Sequence, residues 1–148
     1  MKPMTIYLDF DGTLVEHKHP AIGKYNPGGL EVIRALQNKG HEIIINTLRS
    51  DIEGGIPVSV LAWLKTTFSH LKVKSTEADD ILPITKYTEK KIHPAPFITF
   101  GDLCIYTTPD NQEYLFLDDT AFGTPLRKDS YMVDWSKIKQ ILEENNII

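Results

Sequence analysis

Ile6-Tyr7-Leu8-Asp9-Phe10-Asp11-Gly12-Thr13-Leu14 opens the chain with a short apolar run that ends in two carboxylates. Ile6, Tyr7 and Leu8 are strand formers, and an apolar run this short reads as a buried strand. Asp9 and Asp11 stand two apart, which on an extended backbone puts both side chains on one face. Crowded carboxylates are costly unless a cation or a shared proton relieves them. Gly12 follows where the chain must leave the sheet, and Thr13 adds a hydroxyl donor. An apolar strand, paired acids and a turn describe a site at the carboxyl end of a strand, where open α/β sheets bind ligands. A calcium loop is the competing reading of Asp-x-Asp, but the residues after Asp11 lack its further oxygen ligands and closing Glu.

Downstream, Glu16-His17-Lys18-His19-Pro20 and the residues up to Tyr25 form a polar loop. His17 and His19 alternate as metal ligands can. With no Cys or second acid pair at ligand spacing, they read better as a solvated flap overhanging the acids. Asn26-Pro27 has the form of a helix start, Asn as cap and Pro at the first helical position. Leu30, Val32, Ile33 and Leu36 make the apolar stripe, and Gly40 ends it after Lys39. Glu42-Ile43-Ile44-Ile45-Asn46 is a second strand, and its Ile run suits burial on both faces of a parallel sheet. Strand, helix, strand predicts a right-handed crossover.

The second strand runs out at Thr47, followed by Leu48-Arg49-Ser50. A hydroxyl there is a ready hydrogen-bond donor, though strands often end in such residues. Arg49 suits a substrate anion and a surface acid equally well. Val60, Leu61, Leu64 and Phe68 predict a second helix, with Trp63 as packing, and Leu71-Lys72-Val73 a short third strand. Asp79-Asp80 has no apolar strand before it and reads as a solvated turn. Phe97–Phe100, Leu103–Tyr106 and Tyr114–Leu117 are strand-like, with turn residues between them. Leu115-Phe116-Leu117-Asp118-Asp119 then repeats the arrangement of strand followed by acids. Carboxyl ends of parallel strands share one edge, so four acids converge, and an all-oxygen donor set points to magnesium. Asp134-Trp135-Ser136 opens a final helix carrying Ile138, Ile141 and Leu142, with Trp135 packing it onto the sheet.

The 148 residues suit a single domain, 1–148. A formal charge of −4 argues against non-specific nucleic-acid binding. One cysteine, Cys104, excludes an intrachain disulfide framework and fits a reducing, cytoplasmic compartment. Met1-Lys2-Pro3 leads straight into the first strand without a signal sequence, and no apolar run is long enough to span a membrane.

Asp9-Phe10-Asp11-Gly12-Thr13-Leu14 resembles the first motif of the haloacid dehalogenase-like superfamily, Asp-x-Asp-x-(Thr/Val) after an apolar strand. Thr47 matches the second motif, and Asp118-Asp119 resembles the fourth in its Asp-Asp form. The third motif is a lysine ahead of the last core strand. Lys91 matches best, ahead of Lys90 and Lys86. The resemblance implies a three-layer α/β, Rossmann-like core with a mainly parallel sheet and a small antiparallel β insertion before the last core strand. The intervals between motifs leave no room for a cap domain. Most of the family hydrolyses phosphate esters. That implies Asp9 as nucleophile, Asp11 as general acid and base, and Thr47 and Lys91 holding the phosphoryl charge. Gly12, Thr13, Leu48 and Arg49 are expected to contact the phosphorylated substrate. Mg2+ is expected on Asp9, the backbone carbonyl of Asp11, and Asp118 or Asp119. Asp11 disfavours dehalogenation, where no leaving alkoxide needs a proton. The alternative is a non-catalytic phosphate- or metal-binding module on the same fold. A signalling receiver domain fits less well, because its acid pair is adjacent and its phosphoacceptor lies on a later strand.

Overall fold

The computed structural model describes residues 3–18, 21–47, 63, 98–100, 103–107, 112–119 and 124–148. Within them lie strands β1 (Thr5–Leu8), β2 (Glu42–Ile45), β3 (Ile98–Phe100), β4 (Leu103–Thr107) and β5 (Glu113–Leu117). The two helices are α1 (Gly29–Asn38) and α2 (Trp135–Glu144). The sheet runs β2-β1-β5-β4-β3. β1 sits between β2 and β5 and pairs parallel with both, while β4 and β3 continue the sheet in antiparallel pairing. The expected strand Leu71-Lys72-Val73 and the helix around residues 60–68, apart from Trp63, lie outside the described residues.

Period-two alternation sets the core. Ile6 pairs with Ile43 and Leu115, and Leu8 with Ile45 and Leu117, so one sheet face is a continuous block of branched aliphatics. Ile6, Leu8, Ile45, Leu115 and Leu117 have no exposed surface. They form one core with Leu30, Ile33 and Leu36 of α1 and Ile138 and Leu142 of α2. Burying each such side chain contributes about 1.5–3 kcal/mol, against which the chain's ordering entropy works. On the opposite face Tyr7 stacks on Phe116 and Tyr114, with ring centroids 5.0 and 5.8 Å apart. Burial is the main cause that raises the Tyr7 phenol above its ordinary pKa, with Tyr114 and Glu42 adding to it.

α1 does not start as the sequence predicts. Its N-cap is Gly28, which offers no side chain, and Asn26 lies outside the helix. The Tyr25 hydroxyl takes the capping task, accepting from the Leu30 amide at 3.0 Å. Asn26 is diverted because its amide donates to two distant backbone carbonyls, which a local cap could not do. The other end follows expectation. Gly40 adopts φ +88°, its amide reaches the Gln37 carbonyl, and the His41 amide reaches the Leu36 carbonyl. That is a Schellman ending, which uses the left-handed conformation that glycine tolerates. α2 starts as read, with the Asp134 carboxylate accepting from the Lys137 amide at 3.2 Å.

Trp63 is helical and packs edge-on against Phe10, centroids 5.3 Å apart at 81°, and against Tyr25 at 6.2 Å. It is a packing residue, as expected. His41 is buried between β1 and the C-terminal tail. Its Nδ1 accepts from the Met4 amide at 2.9 Å, so Nε2 carries the hydrogen and donates to the Ile147 carbonyl at 3.1 Å. Among the described residues no helix is long and apolar enough to cross a membrane.

Candidate functional site

Strand register assembles the site. Leu8 is level with Leu117 on one side and Ile45 on the other, so Asp9, Asp118 and Asn46 follow at one height on three parallel neighbours. The ladder continues one bond further each way. The Asp9 amide donates to the Leu117 carbonyl at 2.9 Å, and the Asn46 amide to the Leu8 carbonyl at 2.8 Å. Asp9 and Asp118 are buried, 4% and 3% exposed, and Asp119 lies half-buried beside them. One carboxylate oxygen from each of these three lies within 4.8 Å of the others.

At that separation two ionised carboxylates repel by about 3.5 kcal/mol at an effective dielectric near 20. A hydrogen bond to a charged group returns about 1.5–3 kcal/mol, so one such bond does not offset even a single pair. A small cation would. Oxygens held about 2.0–2.1 Å from Mg2+ come within about 4.2 Å of one another, near the spacing seen here. The donor set is carboxylate oxygen throughout, which suits a hard ion.

The turn after β1 holds Asp9 in place. The Phe10 carbonyl accepts from the Leu14 amide at 2.9 Å and from Thr13 at 3.2 Å. Gly12 adopts φ +81°, its amide donates to the Val15 carbonyl and its carbonyl accepts from the Val133 amide. A Cβ there would strike the His17 Nε2 and the Asp119 Oδ2, so only glycine fits. Thr13 is fully buried. Its hydroxyl donates to Asp9 Oδ2 at 3.1 Å and accepts from the Asp119 amide at 3.2 Å. One hydroxyl thus joins the first acidic stretch to the last.

The Thr13 carbonyl is gripped from two sides. Trp135 Nε1 donates to it at 2.8 Å and Asn26 Nδ2 at 2.9 Å. Asn26 Nδ2 also reaches the Val133 carbonyl at 2.8 Å, and Arg127 donates to Asn26 Oδ1 at 3.2 Å. Each bond joins residues more than a hundred positions apart, except the Asn26–Thr13 pair, which spans the flap.

As the sequence leads one to expect, Asp9, Asp118 and Asp119 come together. Asp11 is half-buried, and its carboxylate stands outside that trio. β1 ends at Leu8, so Asp11 lies three residues beyond the strand. Thr47 is buried, two residues past β2. Gly12 and Thr13 were expected to contact substrate. The polar groups of both are bonded within the protein, in the turn and at the acid cluster. Leu48, Arg49, Lys86, Lys90 and Lys91 lie outside the described residues.

Three contributors escaped the sequence reading. His17 was read as a solvated flap residue, and its ring is indeed largely exposed. Yet Nε2 lies 2.9 Å from Asp119 Oδ2. Asn26 was read as a helix cap and Trp135 as packing only. The one available signal was their polar atoms: a buried indole N–H and a buried amide need partners.

No family model matches the chain, and no curated protein does. A solved structure, described as that of a conserved protein coded by a locus from Bacteroides thetaiotaomicron, is similar. Identity is 24%, the alignment covers 97% of this chain and 93% of that one, and the TM-score is 0.58. This likeness speaks for the fold, and the description names no activity.

Proposed function

We propose that this chain is a capless phosphomonoester hydrolase of the haloacid dehalogenase-like class, dependent on Mg2+. The observation that carries the reading is the meeting of Asp9, Asp118 and Asp119 at the carboxyl ends of two adjacent parallel strands. On this reading β3 and β4 are the antiparallel insertion before the last core strand, β5. Asp9, Asp118 or Asp119, and the Asp11 backbone carbonyl hold the cation. When bound, Mg2+ supplies charge neutralisation between the carboxylates and the incoming phosphate.

An Asp9 carboxylate oxygen attacks phosphorus, and the bond from phosphorus to the ester oxygen breaks. The leaving oxygen takes the Asp11 carboxyl proton. Water then attacks the aspartyl-phosphate and gives a proton to Asp11. The phosphorus–Asp9 bond breaks, inorganic phosphate departs and the Asp9 carboxylate is restored. Thr47 and Lys91 bind the phosphoryl oxygens, where donors placed for the transferring charge have the largest effect. Thr13 keeps Asp9 aimed through the bond to Oδ2.

A panel of phosphate esters assayed for phosphate release with Mg2+ tests this. Turnover is expected with Mg2+ and absent in Asp9→Asn. Turnover that persists in excess chelator, or an Asp9→Asn protein as active as the wild type, overturns the proposal.

A further inference from the structure

We infer that His17, on the flap, is a positioning residue for the cation site, acting through Asp119; this rests on the function proposed above. A carboxylate only accepts, so the short contact between His17 Nε2 and Asp119 Oδ2, 2.9 Å, has the imidazole as donor. The Asp119 backbone is fixed independently, its amide held by the Thr13 hydroxyl at 3.2 Å. With the main chain tied at one end and Oδ2 tied at the other, the carboxylate cannot rotate freely. With Oδ2 engaged by His17, the carboxylate would meet the cation in one fixed orientation.

The packing around Gly12 places the same two atoms beside the turn. A side chain at Gly12 would meet both the His17 ring nitrogen and the Asp119 carboxylate, so the three groups are in close contact. The flap is braced where His17 leaves it. The Glu16 amide donates to the Lys24 carbonyl at 2.9 Å, and Val15 and Tyr25 form a bridge. His17 therefore stands one residue from a fixed point. Its side chain is 64% exposed and that of Asp119 is 12% exposed, so the imidazole faces solvent and the carboxylate faces inward. Partners of this kind orient the groups that touch a metal, and losing one typically weakens binding 10–100-fold.

The test is calorimetric titration of the metal-free full chain with magnesium chloride, alongside thermal melts in chelator. His17→Ala is expected to bind Mg2+ about tenfold more weakly with an unchanged metal-free melting temperature. His17→Gln, which keeps a donor on the flap, is expected to recover much of that loss. Equal or tighter binding by His17→Ala overturns the inference, since the imidazole would then be idle or a competitor for Asp119. A fall in metal-free melting temperature that accompanies the weaker binding overturns it too, because the role would be structural. If the wild type binds no Mg2+, the cation reading itself fails. If the wild type binds and His17→Ala binds equally, only the positioning role fails.

Discussion

Replacing Thr13 by valine removes one hydroxyl and keeps the shape of the side chain. Two bonds go with it: the donation to the Asp9 carboxylate and the acceptance from the Asp119 amide. The first is to a charged group, worth about 1.5–3 kcal/mol, and the second is an ordinary bond worth about 0.5–1.5 kcal/mol. Asp9 is 4% exposed, so water does not readily replace the lost donor. The expected cost is about 2–4 kcal/mol, roughly 4–16 °C in melting temperature for a domain of this size. Thr13→Ser makes the opposite change, keeping the hydroxyl and losing a buried methyl, for about 1 kcal/mol. The order of the two variants separates the causes. If polar bridging holds the turn, valine is the worse substitution; if packing holds it, serine is. Urea unfolding in chelator, where no cation masks the repulsion, gives both values. A Thr13→Val protein as stable as Thr13→Ser, or more stable, refutes the bridge.

Magnesium at a hundredfold excess over its dissociation constant should stabilise the wild type by about 2.7 kcal/mol. Asp119→Asn should shrink that shift in thermal melts, while Asp79→Asn keeps it; the reverse outcome would move the cation to the other acid pair. His41 gives an acid-sensitive contribution. Burial is the main cause that lowers its pKa below the usual 6.5, so its contribution is complete above that value and is lost as pH falls through the lowered folded value. Urea midpoints from about pH 7 to 5 should fall less steeply in His41→Gln than in the wild type, and equal slopes would clear His41 of the effect.

Much of the frame was legible because it depends on local pattern. Alternation placed Ile6 and Leu8 in the core, the helical period placed Leu30, Ile33 and Leu36 there, and the acids at two strand ends met as their parallel register requires. Asn26 was misread because asparagine before proline satisfies a local rule, and a stronger, non-local use of its amide won. Tyr25 as a cap was invisible for a related reason, since no propensity marks a phenol as a helix start. His17 and Trp135 contact residues 102 and 122 positions away, a separation beyond the reach of periodicity.

The grip on the Thr13 carbonyl has a consequence for the order in which this protein is made. The turn carrying Asp9 leaves a ribosome well ahead of Trp135, whose indole donates to the Thr13 carbonyl across a separation of 122 residues. β1 waits as well, since β5 supplies one of its two neighbours. Contacts spanning so much chain close slowly, because the loop entropy is lost before the bonds form. A nascent chain stalled before residue 113 therefore lacks the β5 neighbour of β1, along with Asp118 and Asp119 and the α2 side of the core. Such an intermediate is a target for chaperones, and the acid cluster is completed only after β5 has emerged.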